Sequence, residues 1–165
     1  MLTEVRTGSS KTAICSDSLW KICGVTTIEQ LQQLAPMGAM FWKELKMPGR
    51  FVPQQWIGSW QNLIAQGMAI VIGLMRDQTL MGAIGGVLAH DLNDGALVSV
   101  EQFWFVTPEA RGRGLRLLDA FETASRLRGA QRIMVGHIHA GRDDLWHRVL
   151  ARKGYVLLES HYIKC

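Results

Sequence analysis

The sequence predicts an α+β domain, with α and β segments mixed along the chain, in which a mostly antiparallel sheet carries one parallel strand pair and is flanked by helices. Three observations predict it. Three apolar runs in the middle of the chain, Met68 to Met75, Leu80 to Ala89 and Ala96 to Val106, are separated only by turn signals, as in an antiparallel meander. Segments of helical period stand before and after them. The third run is followed by a helix and then a further strand, and a strand-helix-strand succession with a short crossover gives a parallel pair joined right-handedly.

Taken in order, Leu19 to Val25 reads as a short first strand, and Thr26-Thr27-x-Glu29 supplies the hydroxyls and carboxylate of a helix start. That helix is expected from Thr27 to Lys46, with Pro36 breaking or restarting it. Met47-Pro48-Gly49 is a turn, and Pro53 opens a second helix that carries Trp56, Trp60, Leu63 and Ile64 at helical spacing and stops at Gly67. Arg76-Asp77-Gln78-Thr79 joins the first two apolar runs and Asn93-Asp94-Gly95 turns into the third. Thr107-Pro108 closes the third, because proline cannot donate to a ladder. From Leu115 to Gly129 the apolar Leu117, Leu118, Phe121 and Ala124 share one helical face, with Asp119, Glu122 and Arg126 opposite and the last two spaced for an ion pair. Gln131 to Ile138 then reads as a strand. Asp143 to Lys153 reads as a helix with Leu145, Trp146, Val149 and Leu150 inward, and Tyr155 to Ile163 as a last strand.

A length of 165 residues with 48% hydrophobic content suits one core, so residues 1–165 are read as a single domain. A net charge of +4 and a pI near 9.2 describe a mildly basic surface, as suited to a small polyanion as to nucleic acid. The cations cluster, since Arg111, Arg113, Arg116, Arg126, Arg128 and Arg132 fall in one short stretch. Cys15, Cys23 and Cys165 lack C-x-x-C spacing, which argues against a disulfide framework or a zinc knuckle. Met1 to Thr12 has no apolar core of a secretory signal, so the cytoplasm is the expected compartment. The apolar run Leu63 to Met75 is interrupted by Gln66, closed by Arg76 and shorter than the roughly 20 residues of a membrane span.

The most informative stretch is Arg111-Gly112-Arg113-Gly114, between the end of a strand and the start of a helix. There, backbone amides without helical partners and the helix dipole can hold a phosphate, and glycines let it come close. The string is neither a Walker loop, having no Gly-Lys-Ser/Thr, nor a dinucleotide fingerprint, lacking the third glycine and the downstream acid.

With Val106-x-Pro108 ahead of Arg111-Gly112-x-Gly114, the sequence resembles the GNAT acetyltransferase superfamily, whose members pair V-x-P at the end of the fourth strand with R-G-x-G before the third helix. The likeness runs on through Leu115 to Arg128, Arg132 to His139 and Lys153-Gly154-Tyr155, and the first half agrees more loosely in element order. The stretch Glu101-Gln102-Phe103-Trp104-Phe105-Val106 with this ending looks most like the short members encoded by bacteriophages and prophages, for which the host cytoplasm, or association with the virion, is implied. The resemblance implies a GNAT-like fold and acetyl-CoA as co-substrate, without a metal. Coenzyme A would lie in the gap between the fourth and fifth strands, against Phe105, Val106, Arg111, Gly112, Arg113, Gly114, Leu115 and Arg116. Two departures stand out. Arg116 takes a position where the family often has a small residue, and Leu150 stands where many relatives carry a tyrosine acting as general acid.

Amine acetylation needs a base to take a proton from the attacking amine. Glu101 is a candidate, expected by period-two alternation on the same side of its strand as Phe103 and Phe105; the alternative is an ordinary exposed strand glutamate. His137, which shares a face with His139, is the second candidate, against a hydrogen-bonded core histidine. His137-x-His139 with His147 lacks the Cys or carboxylate spacing of a metal site, so no metal is expected. Trp42, Trp56 and Trp60 read either as core residues or as the lining of an acceptor pocket.

The reading that results is an acyltransferase moving an acetyl group from acetyl-CoA to an amine of a small molecule or protein by direct attack in a ternary complex. A homodimer is compatible with it. A coenzyme A-binding scaffold or virion protein without catalysis is the alternative. A nucleic-acid-binding module is the weaker one, since the charge gathers at one turn and no reading motif accompanies it.

Overall fold

The computed structural model describes residues 19–136, 143–160 and 163–164. The chain forms β1 (Trp20–Gly24), α1 (Ile28–Glu44), α2 (Pro53–Ala65), β2 (Ala69–Arg76), β3 (Thr79–His90), β4 (Leu97–Val106), a single 3-10 turn (Pro108–Ala110), α3 (Gly114–Leu127), β5 (Arg132–Met134) and α4 (Asp143–Arg152). The sheet runs in the order β1-β2-β3-β4-β5, antiparallel throughout except for the parallel pair β4-β5. The α+β class and the mixed sheet are as the sequence predicts.

The first helix starts on a capping box in which Thr27 receives the Gln30 amide and the Gln30 side chain returns to the Thr27 amide, so Gln30 rather than Glu29 completes the cap. Pro36 does not break this helix. Its ring lies on the exposed face, where water can reach the carbonyl it leaves unpaired, while Leu31, Leu34, Ala35 and Gly38 hold the buried face.

Two cores lie on opposite faces of the sheet. Leu31 and Leu34 of α1 and Trp60 of α2 pack with Val71, Leu80, Phe103 and Phe105 on one; Leu117, Leu118 and Phe121 of α3 pack with Leu74, Ile84 and Leu88 on the other. The sheet is thinnest at Gly85 and Gly86. A Cβ at the first would stand 2.4 Å from the Phe103 ring and one at the second 2.5 Å from the Phe121 ring, so neither position admits a side chain. Opposite them the register slips, Gly85 facing Phe103 and Gly86 facing Glu101, which leaves Gln102 as the extra residue of a β-bulge in β4.

Three expectations are corrected. The expected Glu122–Arg126 ion pair is replaced by longer-range bonds: Glu122 accepts from Lys153 and Tyr155, while Arg126 donates to the Ala130 carbonyl beyond the helix end. Leu145 of α4 is exposed rather than inward. The last strand is not formed over residues 155–160, where Val156, Leu157 and Leu158 are exposed; β5 stops at Met134 and offers only a short edge to pair with. Residues 161–162 of that expected strand, and the 137–138 end of the expected fifth strand, lie outside the described residues.

Candidate active site at the end of the parallel pair

The parallel ladder pairs Val98, Ser99 and Val100 with Arg132, Ile133 and Met134 and ends there. Directly beyond it, Glu101 Oε2 accepts a 2.9 Å hydrogen bond from the Gly136 amide, so a carboxylate bridges the two chains where their backbones cease to pair. The β-bulge sets its direction. Glu101 lies on the face of Gly86 and α3, as does Ser99, whose hydroxyl accepts a buried 2.9 Å bond from Ser125 of α3. After the extra residue Gln102, Phe103 and Phe105 point to the α1-α2 face. Simple alternation, which put Glu101 beside these rings, is therefore wrong by one residue. Burial pushes the Glu101 carboxyl up from 4.5 to about 7, with the Gly136 amide pulling the other way.

The turn after β4 forms as a bonded loop, Arg111 N donating to Pro108 O at 3.3 Å and Arg113 N to Ala110 O at 3.1 Å. Gly112 takes φ of +87°, a backbone conformation that glycine adopts without strain. Arg113 occupies the N-cap of α3 and makes no side-chain cap bond, so the first helical amides are turned outward without a capping oxygen. Gly114 is different from Gly112. Its φ is ordinary, and a Cβ there would meet only the Trp104 indole at 3.6 Å, an unstrained contact. Nothing in the fold requires glycine at 114; close approach of a bound group to its amide supplies a reason. The turn thus fits a pyrophosphate such as that of coenzyme A.

The arginines divide. Arg111 sits on the rim of a slot whose other walls are Met37, Met40, Phe41 and Glu44 of α1 and the end of β4 from Phe105 to Pro108. Arg113 lies over the Trp20 ring at 4.6 Å, and Arg116 reaches the Trp20 carbonyl at 3.5 Å, so both extend toward β1. Arg128 donates to the Gly67 carbonyl, and Arg132 pairs with Asp91 and Asp94. What reads in sequence as a cationic stretch is largely divided among structural bonds. Leu115 is exposed at the first turn of α3, and Leu150 packs against the α3-side core. Trp42, Phe51, Trp56, Trp60, Phe103, Phe105 and Phe41 form a continuous run of ring contacts on the α1-α2 face. His137 and His139 lie outside the described residues. Sequence reasoning missed Gly136, whose amide is the Glu101 partner; its place after a strand that ends early carries no chemical signature.

A mixed sheet of this order with a parallel β4-β5 pair, flanked by helices on both faces, is the fold of the GNAT acetyltransferases. Among the solved structures it resembles is an aminoglycoside acetyltransferase from an uncultured soil metagenomic sample, in complex with trehalose, with TM-score 0.72 and 13% identity over 90% of this chain and 97% of that one. A predicted acetyltransferase with acetyl-CoA from Clostridium acetobutylicum gives 0.71 and 12% over 88% and 96%. The ribosomal-protein-alanine N-acetyltransferase from Brucella melitensis biovar Abortus 2308 gives 0.66 and 16% over 88% and 98%. At these identities the likeness establishes the fold. No protein-family model matches the chain, and no curated protein matches it by sequence.

Proposed function

We propose that this protein is an acyl-CoA-dependent N-acyltransferase in which Glu101 is the general base. The observation that carries the reading is the Glu101 carboxyl at the end of the β4-β5 ladder, titrating near neutrality beside a bulge in β4. A base poised near the working pH takes a proton most effectively. The acyl-CoA would be held through its pyrophosphate at the start of α3, with Gly112, Gly114, Leu115 and Arg111 around that group and the β4 backbone at Phe105 and Val106 alongside. In the transfer the amine nitrogen bonds the acyl carbon, the C–S bond breaks, the amine proton passes to Glu101, and the thiolate leaves and is protonated by water, the hydroxide so formed taking the proton back from Glu101. Leu150 has no proton to give, and a thiolate is a sufficient leaving group without an acid. The acceptor is an amine of a small molecule or of a protein, and the reaction draws on the cytoplasmic acyl-CoA pool.

The test is thiol release from acetyl-CoA over a panel of amines, alongside calorimetric titration with coenzyme A and with duplex DNA. Micromolar coenzyme A binding and amine-dependent thiol release are expected, and Glu101→Gln should keep the binding while turnover at pH 7.5 falls about 100-fold or more. Binding without turnover on any amine would favour the scaffold. Duplex binding without coenzyme A binding would favour the nucleic-acid module.

A further inference from the structure

Among the described residues, Ser99 and Ser125 are the polar side chains buried in the core, each at 0% exposure, and they bond to each other at 2.9 Å. Two hydroxyls taken out of water gain little by meeting, because one internal bond replaces the bonds they made to water. A pair of apolar side chains of the same shape would pack about as well, so the hydroxyls call for a reason other than stability. Their position supplies one. Ser99 stands on β4 just before Glu101, laddered to Leu88 of β3 on one side and to Ile133 of β5 on the other. Ser125 lies in the last turn of α3, the helix that Gly114 opens. From Ser99 the chain runs along β4 past Glu101, through the turn at Gly112 and back along α3 to Ser125. The hydroxyl bond closes that circuit, which holds both the proposed base and the proposed pyrophosphate turn.

Around the pair, α3 rests on the sheet through Leu117, Leu118 and Phe121, and apolar contact carries no direction of its own. A hydrogen bond weakens steeply with distance and angle, so this one resists sliding of the helix along the strand. We infer that Ser99 and Ser125 are a positioning pair for the acyl transfer: their bond fixes where α3 stands along β4, and with it the separation between the Gly114 amide and the Glu101 carboxyl that one acyl-CoA has to span. This rests on the proposed function. Neither hydroxyl touches substrate, and both act through the elements they join. A small displacement is enough to matter, since misplacing a reacting group by about 1 Å can cost about 100-fold in rate.

The experiment uses the full chain as Ser99→Ala, Ser125→Ala and the double variant, with thiol release, coenzyme A calorimetry and thermal melting measured on each. Either single variant strands one buried hydroxyl and should melt below the wild type, whereas the double variant removes both and should recover most of that loss. Turnover should not recover with it. In all three variants kcat is expected to fall to a similar extent, about tenfold or more, because each breaks the same bond. Coenzyme A affinity should stay within about twofold of wild type, since the amides at the start of α3 are untouched. A kcat that follows the melting temperature across the three variants would show a merely structural pair and overturn the assignment. So would a coenzyme A affinity that falls in step with kcat. Both results leave the functional reading standing, while a wild-type chain that releases no thiol on any amine removes that reading and this assignment with it.

Discussion

In the proposed reading, Glu101 concentrates the chemistry of the site in one ionisation. Its carboxyl titrates near 7 in the folded protein and near 4.5 when unfolded, so the folded state holds the extra proton between those values. Stability contributed by the protonated group is complete below about pH 4.5, falls as pH rises, and is gone above about 7. Glu101→Gln keeps an oxygen for the Gly136 amide and removes the charge. It should match the wild type in unfolding free energy near pH 4.5 and exceed it by about 1 to 3 kcal/mol at pH 8. If Glu101 is the base, turnover has the opposite slope, since a base works only when ionised: kcat/KM should climb through pH 7 and flatten above it. A variant less stable than wild type at pH 8 would show that the buried charge is compensated by a partner other than Gly136. In sequence Glu101 was recognisable as a carboxylate in the right strand, but neither its face nor its partner was. Both depend on Gln102 being an extra residue, and a bulge leaves no mark when the glycines that allow it stand on the neighbouring strand.

At the scale of elements, the turn into α3 was the most legible part of the chain, because Val106, Pro108, Arg111, Gly112 and Gly114 act locally and in order. The arms of the arginines were not legible. Arg113 and Arg116 meet Trp20, far off in sequence, and a distant partner is settled only by the fold. The two glycines make the sharper test. Gly114→Ala meets no clash and places a better helix former at the start of α3, so the melting temperature should hold or rise. The same methyl would stand over the first helical amides and weaken coenzyme A by about tenfold or more, as expected on losing a charge-assisted hydrogen bond. Loss of stability without loss of affinity would mean that glycine is there for the fold after all.

Over the whole molecule, the meander β2-β3-β4 and the helices around it were read correctly because their apolar periods are strong and their turns carry Asp, Asn and Gly. The C-terminal side was read less well. Tyr155 to Ser160 has a strand's composition and forms no strand, since composition does not supply an edge long enough to pair with and β5 extends only from Arg132 to Met134. The aromatic layer on the α1-α2 face rests on Phe103, which touches Trp56, Trp60 and Phe105. Phe103→Ala should cost about 3 to 5 kcal/mol in denaturant unfolding, with the loss shared by α1, α2 and the sheet. A loss below about 1 kcal/mol would mean the layer repacks around the gap.

The short parallel ladder also has a meaning in time. The antiparallel strands β2, β3 and β4 are joined by tight connections, while β4 reaches β5 only after the chain has passed through α3 and returned. Closing that longer loop costs more entropy, and among the described residues the return is pairing over Val98 to Val100 with one further backbone bond from Gln131 to Leu97. Amide exchange is therefore expected to be faster at Arg132 to Met134 and Gly136 than in the meander, and equal protection would show that β5 opens only with the whole sheet. The part of the molecule assigned to chemistry is then the part expected to be made late and given up early.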